Sequence, residues 1–194
     1  MQTRKEKAQV LFERLFDAYS ERIGEWRKDP ELQGTPRRLA EMWEEMTSGY
    51  DESKNGWTVF PTTYSGIVAK AGIPITSLCG HHGLPWTGEV LMAYIPRKVK
   101  PLKLGLSKMP RLVRHYAARL TSQEELTDLL ADKLQEATQA RGCMVGVRAN
   151  HTCESVRGVR VSSVTCTQSL RGEFLTDADL KDECYNLTGW KVRE

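Results

Sequence analysis

The chain alternates between two kinds of hydrophobic pattern. Residues 6–24 place Val10, Leu11, Leu15, Phe16, Tyr19 and Ile23 at helical spacing with charges between them, and Asp29-Pro30 is expected to break this helix. A second helix is predicted from Thr35-Pro36, with Thr35 as N-cap, through Leu39, Met42, Trp43 and Met46 to about Gly49. From Trp57 the texture turns β-like: 59–64 and 67–78 are broken by Gly and Pro, and 89–95 is closed by Pro96. A basic connector, RKVKPLKL at 97–104, leads to a predicted helix pair at 108–119 and 122–140. The second of these carries Leu126, Leu129, Leu130, Leu134 and Ala137 on one face and is expected to stop at Gly142. Strands are predicted again at 144–153 and 159–170. This order predicts an α+β fold, an antiparallel sheet with the helix pair on one face, preceded by an N-terminal helical arm. The expected division is 1–56 for the arm and 57–194 for the main domain.

Composition narrows the class. The 194 residues are 40% hydrophobic and 27% charged, which is globular rather than disordered. No apolar run approaches the roughly 20 residues of a membrane span, and the acid-bearing start does not read as a signal peptide, so the expectation is a cytoplasmic protein with no membrane partner. Twenty-eight Lys and Arg against 25 Asp and Glu leave a net charge of +3, too balanced for a nucleic-acid stripe but compatible with a local anion site. Five cysteines in a reducing compartment read as ligands, nucleophiles or packing residues rather than disulfides.

The candidate chemistry is concentrated in two stretches. Ser77-Leu78-Cys79-Gly80-His81-His82 and Asn150-His151-Thr152-Cys153 hold three of the four histidines and two of the five cysteines. Cys79-x-x-His82 is a spacing at which one turn directs two ligands to a zinc ion. Strand alternation predicts that His151 and Cys153 share the inward face of Val145, Val147 and Ala149. Cys79, His82 and Cys153 make three ligands and leave a position for water, with His81 and His151 as flanking acid–base groups. Cys143, Cys166, Cys184 and His115 read as packing residues. Ser107, Lys108 and Arg111 open a helix where anions are favoured, although spacing alone favours a solvated basic turn. Thr121 with Glu124 and Ser122 with Glu125 both fit a capping box; the second register leaves Glu124 beside Gln123 free for a guanine edge. Arg157 lies just beyond Cys153 and could meet a phosphate.

Taken together, GTPRRLAEMW (34–43), SLCGHHGLPWTGEVLMAYIP (77–96), GLSKMPRLVRHYAARLTSQEELT (105–127), HTCESVRGVR (151–160) and SVTCTQSLRG (163–172) resemble GTP cyclohydrolase I. The resemblance implies a T-fold and a toroidal homodecamer with sites at subunit interfaces. It implies a zinc ion on Cys79, His82 and Cys153, catalysis by His81, His151 and Ser107, and a guanine anchor at Glu124 with Gln123 beside it. Lys108, Arg111, Arg157 and, more weakly, Arg38 fall on positions that handle ribose and triphosphate. The implied reaction converts GTP to 7,8-dihydroneopterin triphosphate and formate. The sequence departs from the family where Gly80 stands in place of the usual Glu of Cys-Glu-His-His. That departure leaves two variants open: another guanine nucleotide as substrate, or a formamidopyrimidine product. Outside the cyclohydrolases, a metal-free Cys-nucleophile enzyme of the nitrile reductase kind and a non-catalytic zinc-stabilised assembly module are the competing classes.

Overall fold

A computed structural model describes residues 2–54 and 57–190. Its contacts fall into two units, 1–48 and 49–194.

The first unit is helical: α1 (Arg4–Ala18), α2 (Ser20–Ile23) and α3 (Thr35–Met46). Thr3 and Glu6 close a reciprocal capping box at the start of α1, which satisfies two otherwise orphan N–H groups. Phe12 meets Trp43 edge-on and Phe16 meets Trp26, so aromatic contacts join α1 to α3 and to the linker. The arm differs from expectation at both helix ends. Gly24, at φ 73°, closes the α1–α2 segment before Asp29-Pro30 is reached. Gly34 is the N-cap of α3 and Thr35 its first residue, because the Thr35 hydroxyl is held by Arg38 Nη2 at 2.6 Å and faces Glu31 O.

The second unit is the α+β body. It contains β1 (Val59–Pro61), β2 (Val68–Cys79), β3 (Pro85–Ile95), β4 (Leu102–Leu104), α4 (Lys108–Ala117), β5 (Leu120–Thr121), α5 (Gln123–Thr138), β6 (Gly142–His151), α6 (Thr152–Ser155), β7 (Thr165–Gly172), α7 (Glu173–Thr176) and α8 (Ala178–Thr188). The main sheet runs β5-β2-β3-β6-β7, antiparallel except for the short β5–β2 pair. Alternation decides its core. Val90, Met92 and Tyr94 of β3 and Cys143, Val145, Val147 and Ala149 of β6 face one way and pack on Leu112, Val113 and Tyr116 of α4 and Leu126, Leu130 and Leu134 of α5. At roughly 1.5–3 kcal/mol for each large apolar side chain fully buried, this layer is the dominant stabilising contact of the body. The opposite face is covered too: Leu91, Ala93, Ile95 and Met144 pack against Phe174, Cys184 and Trp190. The sequence pattern placed helices on one face only.

Three local expectations are corrected. α5 ends at Gln139, in the left-handed region at φ 47°, while Gly142 opens β6. A Cβ at Gly142 would stand 2.9–3.1 Å from backbone atoms of Arg171, Glu173 and Phe174, so its smallness admits β7 and α7 rather than capping a helix. Residues 59–64 give only the short β1, paired with β4 inside the basic connector. Cys166 is exposed, because β7 turns it to the solvent side, whereas Cys143 and Cys184 are fully buried. Among the described residues, no helix is long and apolar enough to cross a membrane.

Burial pushes the Cys143 thiol up to about 12 and the Cys184 thiol up to about 11. Both therefore stay neutral at pH 8, and native protein treated with iodoacetamide at that pH should carry no label on either, by peptide mass mapping, until guanidinium unfolds it. The same shifts make the folded state lose stability as pH rises above the ordinary thiol value near 9, since only the unfolded chain can then ionise these groups.

Candidate metal and nucleotide site

The site is assembled at one end of the sheet. β2 ends at Cys79, whose carbonyl accepts the N–H of Gly83 at 2.8 Å while its own N–H donates to Leu84 O at 2.8 Å. This tight turn, with Gly83 at φ 64°, folds His81 and His82 back so that their Nδ1 atoms lie 3.8 and 3.7 Å from Cys79 Sγ. On the other side of β3, Trp86 pairs with His151, and the two rings stack at 5.2 Å and 21°. The strand stops there. Cys153 belongs to α6, so a helical turn, not strand alternation, carries its thiol to the others.

One ligand atom from each of Cys79, His82 and Cys153 lies within 4.8 Å of the other two. Two thiols and an imidazole are a donor set suited to zinc. Burial, and after it the neighbouring Cys79, pushes the Cys153 thiol up. The residues therefore fit a metal.

Beside these sulfurs lies a pocket of about 230 Å³, bounded also by His81, Ser122, Gln123, Glu124 and His151. Ser122 is the N-cap of α5 and accepts the Glu125 N–H at 3.1 Å, which selects the second capping register. Glu124 is exposed on the first turn, and among the described residues its carboxylate has no hydrogen-bond or ion-pair partner.

Gln123 also lines the pocket, but its amide is turned inward. Its Nε2 donates toward Val147 O, Thr165 O and Thr167 Oγ1 at 3.2, 3.0 and 3.0 Å. Its Oε1 is 2.9 Å from His151 Nε2. Because the nitrogen faces only acceptors, the oxygen must accept, so His151 donates from Nε2 and its Nδ1 is left as the acceptor of the neutral ring. Thr167 and Thr127 complete the circuit: their hydroxyls are 2.6 Å apart, and Thr127 donates to Gln123 O at 2.7 Å. Sequence reasoning overlooked Thr127, Thr165, Thr167 and the Trp86 stack. The available signal was Thr127 itself, a polar residue inside the apolar stripe of Leu126 and Leu130.

The remaining candidates lie elsewhere. Ser107, Lys108 and Arg111 are at the start of α4, roughly 15 Å by helix rise from the end that leads into β5. Ser107 occupies the N-cap position without a side-chain cap bond. Arg157 is exposed in the segment after α6, and Arg38 is held within the first unit by Glu31 O and Thr35. Ser107, Lys108, Arg111 and Arg157, which share the second unit with Cys79, do not line the pocket beside it.

The family model described as GTP cyclohydrolase I matches residues 12–189. The chain belongs to the GTP cyclohydrolase I family. Among relatives, it is 43% identical over 171 residues to GTP cyclohydrolase 1 of Hyperthermus butylicus, covering 86% of this chain and 84% of that one. It is 38% identical over 191 residues to GTP cyclohydrolase 1 of Carboxydothermus hydrogenoformans, covering 95% of each. Among solved structures it is similar to the archaeosine synthase QueF-Like in the apo form, at 21% identity and a TM-score of 0.44, covering 55% of this chain and 96% of that one, a likeness too slight to bear on the fold.

Gly80 follows Cys79 in the turn of this site. It is exposed, its φ is not positive, and an added Cβ would meet only Thr121 backbone atoms at 3.7–3.8 Å. No backbone requirement for glycine is present. Gly80→Ala should leave denaturant stability unchanged or raise it by up to about 1 kcal/mol. Gln123→Leu should do the opposite: it strips donors from buried carbonyls at about 1–3 kcal/mol per orphaned group. A lowered melting temperature with unchanged uptake of added zinc is the expected result, since Gln123 is not one of the three residues that could hold a metal.

Proposed function

We propose that this chain is a zinc-dependent GTP cyclohydrolase that converts GTP and one water to 7,8-dihydroneopterin triphosphate and formate. The carrying observation is the convergence of the Cys79–His82–Cys153 donors, His81, His151 and the open carboxylate of Glu124 on one pocket. The proposal includes a T-fold body at 57–194, the helical arm at 1–56, and assembly of subunits into a toroidal homodecamer.

Cys79, His82 and Cys153 would hold the zinc ion. When bound, zinc supplies Lewis acidity and brings the pKa of a water near neutrality. The chain's own groups account for the rest. An ionised carboxylate is acceptor-only, and the Watson–Crick edge of guanine presents N1–H and the 2-amino group as adjacent donors, so a carboxylate at Glu124 selects guanine over adenine there. Hydrolytic opening of the imidazole ring at C8 requires protons at the ring nitrogens as the C–N bonds break. His151 is aligned for that transfer: Gln123 fixes its Nε2–H, and Nδ1 is the site that takes and returns a proton. His81 is the second carrier. Once formate has left, recyclisation needs the ribose opened and rearranged, which we assign to Ser107. Lys108, Arg111, Arg157 and Arg38 supply cations for the triphosphate. Among the residues of the second unit, the pocket lacks Ser107, Lys108, Arg111 and Arg157, which supports a site completed by a neighbouring copy.

Formate release and pterin fluorescence from GTP test this reading, with dGTP as the comparison substrate. Both signals from GTP are expected. Formate without fluorescence would mean a ring-opened product, and no reaction with either nucleotide would overturn the assignment. His151→Ala should lower turnover by about 10²–10⁴-fold with zinc retained, by metal analysis. Loss of zinc in that variant would contradict the ligand set, and full activity after chelation would favour a Cys-nucleophile enzyme.

A further inference from the structure

The sheet has a second polar end. Ile95 pairs with Gly142, and Gly142 with Gly172, nine strand positions from the Trp86–His151 pair. At about 3.3 Å per residue, that is roughly 30 Å from the sulfur site. There, Arg97, Lys98, Lys100 and Arg141 border a groove of about 720 Å³ whose one acidic wall residue is Glu173. Glu173 is occupied: both its oxygens accept from Arg141 Nη1, at 3.0 and 2.8 Å. Among the described residues, no carboxylate forms an ion pair with Arg97, Lys98 or Lys100. The groove therefore carries about three uncompensated positive charges.

These cations stand on a braced frame. Arg97 Nε donates to Lys100 O at 2.9 Å, and its Nη1 bonds Gln139 Oε1. Lys100 and Gln139 both have positive φ, at 50° and 47°, and one guanidinium ties the two left-handed residues together. Such positions are costly for non-glycine residues and persist where the surroundings impose them. Arg141 is fixed as well, donating from Nε to Pro96 O at 3.1 Å and from Nη2 to Ser65 O at 3.2 Å. A pre-ordered cationic rim loses less freedom on binding than loose surface lysines do.

We propose that this groove is a second anion site, taking a small phosphate-bearing polyanion of the di- or triphosphate kind. Its confinement to the residues around Arg97–Lys100 and Arg141 and the chain's near balance of charge favour a compact ligand over a nucleic-acid strand. Within one chain it stands at the opposite end of the sheet from the sulfur site, and the Lys98, Lys100 and Arg111 variants below distinguish it from the pocket assigned to GTP above, whose failure would remove only the other binding class.

Calorimetric titration of the full chain with inorganic tripolyphosphate, at low and at 0.3 M salt, tests the proposal. Two classes of binding are expected, both weakened by salt. Lys98→Gln with Lys100→Gln should weaken one class by about ten-fold or more, with GTP turnover and melting temperature unchanged. Arg111→Ala should leave that class intact. An isotherm for the double variant that matches the parent's would overturn the proposal. So would a single-stranded oligonucleotide that binds the groove more tightly than tripolyphosphate and loses that binding in the double variant. Because Lys98 and Lys100 are exposed, the variant should fold; single Lys98→Gln and Lys100→Gln variants, each showing a partial loss, provide the second check.

Discussion

The buried amide of Gln123 is the interaction on which the site depends. It is the first residue of α5, yet its side chain bonds β6 through Val147, β7 through Thr165 and Thr167, and His151 at the strand end. One side chain thus fixes the helix start against two strands and orients the histidine that faces the pocket. An amide suits this role because it is a donor on one side and an acceptor on the other. A carboxylate at the same place would face three acceptors, and an apolar residue would leave them orphaned. The cost of error at this position is what makes the geometry definite.

The sheet register then determines what reaches the pocket. Because β3 and β6 pair without a break from Trp86↔His151 to Ile95↔Gly142, the inward parity of Val145, Val147 and Ala149 extends to His151. Trp86, opposite it, supplies a stacking surface that restrains the imidazole. The same register separates two polar ends of one apolar slab. At one end thiols and imidazoles converge around space for a cation; at the other, guanidinium and ammonium groups surround space for an anion. Cys79 and Trp86 belong to the core layer as well as to the sulfur end, and the ten residue pairs from Trp86↔His151 to Ile95↔Gly142 connect that end to the other.

Much of this was legible in the sequence, and the exceptions share a cause. The stripe of Leu126, Leu130 and Leu134 and the alternation of β6 are local periodicities, so they predict both the element and its buried face. Cys79 and His82 were readable because three residues of turn suffice to bring them together. What failed depended on distant partners. Thr35 reads as a cap until Arg38 takes its hydroxyl, and Gly142 reads as a helix stop until β7 and α7 close on it. Cys153 follows strand parity on paper, but the strand ends at His151. The Gln123 network joins residues 24 to 44 positions apart, and no window on the sequence spans that. The second covered face was missed because α8 buries only Cys184 within a mostly polar helix.

Gly80 bears on how a metal site of this kind tolerates change. A carboxylate between two ligands acts through what it touches, by orienting an imidazole or by holding a proton. In this chain the neighbouring restraint comes from elsewhere: Gly80 N–H donates to Thr121 O at 3.2 Å, and Cys79 is gripped on both sides by Leu84 and Gly83. The turn is therefore held by its backbone, with β5 as the adjoining strand, rather than by a side chain at position 80. Of the two histidines beside the sulfurs, His151 has its tautomer set by Gln123, while His81 places Nδ1 3.8 Å from Cys79 Sγ.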